Sequence, residues 1–226
     1  MSDQPYILYG GGITRAIGVQ MMLKELALDY ELKTIDIRKD EHRKSEFLAI
    51  NPAGYLPALV TPEGETLHET AAIMLWLADK HAPGVLAPAP DEADRGRFLS
   101  WFFFFTSDIQ PPMKRIFYPE RYVTENDGTD AVFELACNQA RERWTVLEGY
   151  LSENGPLHLG ERFTVADMQI AFWACYGMRY LSEIFENFPA ITACYERASA
   201  QPRSGPLLKA FQQTVRERSS RPWLPK

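Results

Sequence analysis

The stretch Ala49–Lys80, AINPAGYLPALVTPEGETLHETAAIMLWLADK, decides how the rest of the chain is read. Two short extended runs, Leu56 to Thr61 and Glu65 to His68, flank Pro62-Glu63-Gly64. Proline presets φ at the second position of a turn and glycine accepts positive φ after it, so the pattern predicts a β-hairpin. A helix follows at once. Its apolar residues Ala72, Ile73, Trp76 and Leu77 recur at helical spacing and predict a core-facing side, and Pro83-Gly84 ends it. Leu56-Pro57 opens the first strand, and a proline there has no N–H to give to a sheet, so the backbone at that edge is expected to serve something else.

Upstream, Tyr6 to Tyr9 is an extended run that ends in Gly10-Gly11-Gly12, and Ile13 to Leu28 carries helical periodicity through Ala16, Val19, Met22, Leu23 and Leu26. Neither a third spaced glycine nor a following Lys-Ser/Thr accompanies the glycines, which argues against a nucleotide cradle. Tyr30 to Ile37 reads as a second strand, parallel to the first through a right-handed crossover. Residues 5 to 82 therefore run strand, helix, strand, helix, hairpin, helix. That is a thioredoxin-like α/β order without the Cys-x-x-Cys pair, which excludes a dithiol oxidoreductase.

From Val85 to Asp94 the chain is proline-rich and polar, and no strand pattern returns after it. Helices are expected near 92 to 122, broken near Pro111-Pro112, then at 129 to 153, 164 to 182, 189 to 200 and 206 to 218. The fold class is α/β plus all-α, with a thioredoxin-like domain over 1–83, a linker at 84–91 and an all-helical domain over 92–226. Phe163-Thr164-Val165-Ala166-Asp167-Met168 predicts a helix start in which Thr164 caps and Asp167 reaches back, a structural element whose loss should cost about 0.5 to 2 kcal/mol.

The chain has 226 residues and a net charge of −6 from 24 basic and 30 acidic residues, with no basic patch. That balance argues against nucleic acid and anionic membrane as partners. The N-terminus lacks a positive region followed by an apolar one, so a cytoplasmic location is expected. Cys137, Cys175 and Cys194 have no metal spacing and sit on apolar helical patterns, so they read as buried thiols.

Asn51-Pro52-x-Gly54-x-Leu56-Pro57-Ala58-Leu59, followed by Glu69-Thr70 thirteen residues after Leu56, resembles the glutathione-binding half of the glutathione S-transferase family. Thr164-x-Ala166-Asp167 before an apolar helix is similar to an element of that family's helical domain. The resemblance implies a cis proline at Pro57, and a Leu56 backbone that binds the cysteinyl unit of glutathione as an antiparallel strand would. It implies that Glu69 takes the γ-glutamyl ammonium and Thr70 its carboxylate. The alternative for Glu69 is a capping box with Thr66. His42, fifteen residues before Pro57, is the candidate for the glycyl carboxylate. Tyr55 stands where many members carry Lys or Arg, a departure that Arg43 or Lys44 is placed to compensate.

The chemistry implied is ionisation of the glutathione thiol, whose pKa of about 8.5 leaves only a few per cent as thiolate at neutral pH. Thr14, beside Arg15, is the lead candidate to hold the sulfur anion, with a helix N-cap as its structural alternative. Tyr9, at the end of the first strand, is the second, with core packing as its alternative. The family's frequent hydroxyl four residues before the arginine is Gly11 in this chain, and no cysteine precedes Cys137, so cysteine-type chemistry is excluded. The aromatic run Trp101 to Phe105 would wall a pocket between the domains for an apolar electrophile, with Trp101, Phe105 and Tyr118 as lining candidates and Tyr122 beside them. The resemblance thus implies a transferase with glutathione as co-substrate and no cofactor or metal, a cytoplasmic homodimer with a detoxification role. The rivals are a glutathione-dependent peroxidase, ether-cleaving or dehalogenating enzyme on the same site, and a non-enzymatic glutathione-binding module.

Overall fold

The computed structural model describes residues 4–124 and 128–217. The first three residues, the expected helix end at 218 and the expected domain end at 226 lie outside the described residues. The chain up to Arg95 forms one compact unit together with Ser199–Phe211, and Gly96–Ala198 forms another together with the chain from Gln212.

In the first unit, β1 (Tyr6–Gly10), α1 (Ala16–Glu25), β2 (Tyr30–Thr34), α2 (Ser45–Leu48), β3 (Ala58–Val60), β4 (Thr66–His68) and α3 (Thr70–His81) follow the expected order. Two single turns of 3₁₀-helix, Ile37–Lys39 and Glu41–Arg43, lead into α2. The sheet runs β2-β1-β3-β4, with β1 parallel to β2 and antiparallel to β3, and β3 antiparallel to β4. Leu8 and Tyr6 are buried on one face of β1, where α1 and α3 pack. Ile7 and Tyr9 alternate to the other, and there Phe47 of α2, Leu56 and Ala58 form a small core with Tyr9, Ile35, Ile37 and Ile50 against it.

The hairpin turn closes as its residues require. Gly64 N donates to Thr61 O at 2.9 Å, Gly64 sits at φ 89°, and Thr61 Oγ1 accepts from Glu65 N. In α3 the buried side is Thr70, Ala71, Ile73, Met74, Leu77 and Ala78, so the expected stripe is rotated by about one residue. Ala72 is exposed, and Trp76 is half-buried with Lys80 Nζ 4.5 Å from its ring centre, an amphipathic side chain at the rim rather than a core residue.

Helix α1 ends earlier than its periodicity suggests, in a Schellman motif. Leu28 N donates to Leu23 O and Ala27 N to Lys24 O, with Ala27 in the left-handed region at φ 51°. Glycine is the usual residue there because a Cβ is crowded in that conformation. Ala27→Gly is expected to stabilise the protein by about 1 kcal/mol, read as a higher urea midpoint; an unchanged or lower midpoint would show that the left-handed turn carries no penalty.

The linker is tied down. Ala89 N donates to Glu92 Oε1, and Arg95 donates to Pro88 O and, through both terminal nitrogens, to the Asp79 carboxylate. The return segment before α10 (Gly205–Glu217) is joined to α1. Ser204 N and Oγ donate to the Glu25 carboxylate, and Arg203 to the Glu25 carbonyl.

The second unit is helical among the described residues: α4 (Arg95–Phe104), a π-turn (Phe105–Ile109), α5 (Gln110–Phe117), a 3₁₀ turn (Pro119–Tyr122), α6 (Thr129–Asn154), α7 (Val165–Gly177), α8 (Glu183–Glu186) and α9 (Pro189–Ser199). The break expected near Pro111 and Pro112 falls just before these two residues. They occupy the first turn of α5, where their missing N–H groups are not needed, and the irregularity falls in the π-turn before them. The N-terminus of α9 is satisfied by Glu148, whose two carboxylate oxygens accept from Ala190 N and Ile191 N at 2.9 Å.

The Thr164 capping box forms and is larger than a cap. Asp167, fully buried, accepts from Thr164 N, Thr164 Oγ1 and His158 N, each at 2.8 Å. Thr164 Oγ1 also lies 3.2 Å from His158 Nδ1. Cys137, Cys175 and Cys194 are buried thiols as read, and burial pushes those of Cys175 and Cys194 up, away from thiolate chemistry. No helix among the described residues is long and apolar enough to cross a membrane, and no group of metal-ligating side chains occurs among them.

Candidate glutathione site

The topology gathers the candidate residues at one end of the sheet. Strands β1, β2 and β4 finish there and β3 begins there, so the segments Gly11–Arg15, Ile35–His42, Leu56-Pro57 and Glu69-Thr70 all emerge at that end. The last pairs are Tyr9 with Ala58 and Ala58 with His68. Strand β3 is therefore interior, not an edge, and Pro57 lies just outside it. Leu56 is two residues past the last pair on both sides, so its backbone is open because both neighbouring strands have stopped.

Leu56 N–H has no partner among the described residues, and Leu56 O accepts from Arg15 Nη2 at 3.4 Å. The Leu56-Pro57 bond is cis. The loop before it is shaped by Asn51, buried, whose Nδ2 donates to Tyr55 O at 2.7 Å and whose Oδ1 accepts from Ala53 N. Gly54 has φ 66°, and a Cβ there would stand 3.1 Å from His42 O and 3.4 Å from Arg43 Nη1. His42 and Arg43 thus lie against the loop that leads to Leu56. Arg43, rather than Lys44, is held over the Tyr55 ring, 6.0 Å from its centre.

Glu69 is exposed and occupies the N-cap position of α3 at φ 69°, ψ 116°, without capping through its side chain. The Thr66 capping box is not formed, since Thr66 is in β4. A non-glycine residue in this conformation costs of order 1–3 kcal/mol and occurs mainly where the surroundings or a ligand demand it. Thr70, the first residue of α3, is 6% exposed, and its Oγ1 is buried without a hydrogen-bond partner. Around it the first amides of α3 have no intrahelical acceptors, and such a helix start favours an anion.

The two hydroxyl candidates are placed differently from one another. Thr14 precedes α1, whose N-cap position is Arg15, so it is not the N-cap. Its Oγ1 donates to Gly11 O at 2.9 Å. Tyr9 packs on the α2 face, 6.0 Å from the Phe47 ring, with Lys33 Nζ 5.7 Å from its own ring centre.

Of the aromatic candidates, all in the second unit, Phe105 is a core residue and not a pocket wall: it is 1% exposed and meets Trp144 edge-on at 6.2 Å. Consecutive helical positions point all round the axis, so one member of such a run must be internal. Trp101 is half-buried and lies 4.1 Å from the Tyr150 ring centre. Tyr118 is half-buried under the Arg121 guanidinium at 4.0 Å, and Tyr122 is exposed with Arg115 at 5.3 Å. Sequence reasoning missed Arg15 as a contact of Leu56; only its place beside Thr14 could have signalled it.

The N-terminal domain model of glutathione S-transferases matches residues 15–80 and the C-terminal domain model residues 111–202. The chain belongs to the glutathione S-transferase family. Glutathione S-transferase 3 of Zea mays is 28% identical to it over 93% of each chain. The disulfide-bond oxidoreductase YfcG of Escherichia coli is also 28% identical, over 85% of this chain and 89% of its own. The glutathione transferase URE2P6 of Phanerochaete chrysosporium, solved in complex with oxidised glutathione, shares 26% identity and superposes with a TM-score of 0.81 over 94% of this chain and 98% of its own.

Proposed function

We propose that the protein is a glutathione transferase that adds the thiolate of glutathione to an apolar electrophile. The observation that carries this reading is a pair of unused polar groups at the same end of the sheet, the Leu56 N–H and the buried Thr70 Oγ1. Buried polar groups are almost always hydrogen-bonded, so an unpartnered one beside an open strand backbone marks the seat of a peptide. In this reading Leu56 pairs with the cysteinyl unit and Pro57 fixes the chain there. Glu69 takes the γ-glutamyl ammonium, Thr70 and the α3 amides its carboxylate, and His42 with Arg43 the glycyl carboxylate. Thr14 holds the sulfur anion by turning its hydroxyl from Gly11 O, with Tyr9 as the second candidate. Trp101 and Tyr118 face the electrophile. The working form is taken as a homodimer in the cytoplasm, and light scattering on the purified protein tests the dimer.

Calorimetric titration with glutathione followed by an electrophile panel tests the whole. Binding without turnover of any electrophile would favour the non-enzymatic module, and absence of binding would end the reading. Thr14→Val is expected to lower kcat/KM for conjugation by about 10- to 100-fold, the range that one hydrogen bond to a charged group supports. Full activity in that variant would remove Thr14 from the mechanism, and Tyr9→Phe tests the alternative.

A second reading is favoured by the similarity to the E. coli disulfide-bond oxidoreductase. The first unit holds no cysteine, so both thiols would come from glutathione: one thiolate attacks a substrate disulfide and releases a substrate thiolate, and a second glutathione resolves the mixed disulfide to oxidised glutathione. A disulfide substrate in the same panel separates the two readings.

A further inference from the structure

The second unit carries a cleft that the glutathione reading does not use. It has a volume of about 530 Å³ and is lined by Met178 and Arg179 just after α7, by Ser182, Phe185 and Glu186 around α8, and by Arg216 near the end of α10. None of the six is a glutathione or electrophile candidate. A space of this size suits one small organic ligand, since such pockets run from about 300 to 1,000 Å³. Its lining is divided by chemistry. Met178 and Phe185 offer apolar surface, Arg179 and Arg216 two positive charges, and Glu186 one negative charge. Arg179 is engaged with the Tyr180 ring, 5.4 Å from its centre. Arg216 is exposed and forms no ion pair with any carboxylate among the described residues.

A second signal lies behind the wall. Tyr195 of α9 is 8% exposed, and its ring meets Phe185 edge-on at 5.1 Å. Its hydroxyl is buried without a hydrogen-bond partner. Buried tyrosine hydroxyls usually find one, so this donor is left over by the fold. Burial, and then the Cys175 thiol, push its ionisation up, while the Arg216 charge acts on it in the opposite sense. The hydroxyl therefore stays protonated and lies on the Arg216 side of the cleft.

We infer that this cleft binds a small apolar monocarboxylate, its carboxylate held between the Arg216 guanidinium and the Tyr195 hydroxyl and its flat body lying on Phe185 and Met178. A planar guanidinium matches a carboxylate and donates to both of its oxygens, and a hydroxyl donor completes the shell. Exposed side chains change rotamer within nanoseconds, so Arg216 can swing aside to admit the carboxylate to the Tyr195 hydroxyl and then close on it. A neutral ligand would leave the guanidinium and the hydroxyl unused. Glu186 opposes a second negative charge, which separates this ligand from glutathione with its two carboxylates.

Calorimetric titration of the purified protein with 2-naphthoate and with the uncharged 2-naphthamide tests this. The acid is expected to bind about tenfold more tightly than the amide, with saturating glutathione making no difference to either. Arg216→Met should weaken 2-naphthoate about tenfold while leaving 2-naphthamide and glutathione affinity alone, and Arg216→Lys should recover part of the loss. Tyr195→Phe should also weaken the acid, by about fivefold, without lowering the melting temperature, because its hydroxyl has no partner in the free protein. Affinity for 2-naphthoate that survives both Arg216→Met and Tyr195→Phe would place the ligand elsewhere and overturn the inference. Equal affinity for acid and amide, or no heat from 2-naphthoate at about 1 mM, would overturn it as well. A protein that fails to bind glutathione but behaves as described with 2-naphthoate would remove the glutathione reading and leave this site standing.

Discussion

Asp167→Ala is expected to lose about 4 kcal/mol of stability, well above the effect of an ordinary helix cap. The carboxylate is fully buried and is the acceptor for two backbone amides, His158 N and Thr164 N, and for the Thr164 hydroxyl. The Cys194 thiol lies 3.7 Å from Asp167 Oδ1, the oxygen that accepts from His158 N. Removing it strands two buried N–H groups, each worth about 1–3 kcal/mol when left unpaired. Asp167→Asn should recover only part of the loss, because its amide end presents donors to donors. Thr164→Ala, which leaves the carboxylate and both amides paired, should lose about half as much. Urea denaturation followed by far-ultraviolet circular dichroism measures all three. A loss below about 1 kcal/mol in Asp167→Ala would mean that water replaces the carboxylate, contrary to its complete burial.

That difference illustrates what the sequence could carry. The local box was legible because Thr164 and Asp167 are three residues apart, and spacing of that kind dictates backbone geometry directly. His158 was silent, since the loop that brings its amide to Asp167 has no periodic pattern. The same division holds in the first unit. Pro62-Glu63-Gly64 fixes its turn, and Gly10 to Gly12 announce the end of β1, because glycine and proline act on their own φ. The stripe of α3 was misplaced by a residue, because Ala72 and Trp76 fit a helical repeat as well as Ala71 and Met74 do and only packing against α1 decides. The attachment of Ser199–Phe211 to the first unit depends on Glu25 meeting Ser204, a pairing 179 residues apart that no local signal encodes. At the site, Glu69-Thr70 and Leu56-Pro57 were legible as a motif. What the motif could not convey was that the Thr14 hydroxyl is engaged by Gly11 or that Arg15 lies on Leu56, since both depend on how a five-residue loop closes.

Thr70→Val should move stability and ligand affinity in opposite directions. Valine matches threonine in shape and replaces the hydroxyl by a methyl group. In the free protein Thr70 Oγ1 is buried without a partner, so its replacement removes an unsatisfied polar atom and is expected to stabilise the fold by up to about 1 kcal/mol. With glutathione bound, the same hydroxyl would donate to a carboxylate, a charge-assisted bond worth about 1.5–3 kcal/mol, so affinity should fall by about 10- to 100-fold. Thermal unfolding with and without saturating glutathione, together with calorimetry, reads both effects on one protein. A hydroxyl with a purely structural role cannot give this pattern: its loss would lower the melting temperature and leave the affinity alone. Glu69→Gln is the matched control, because Glu69 is exposed and makes no capping bond, so it should leave the free protein's stability within about 0.5 kcal/mol of wild type while weakening glutathione binding. If Thr70→Val destabilises the free protein and binds glutathione as wild type does, the α3 start is a packing feature and the tripeptide's carboxylate must be sought elsewhere.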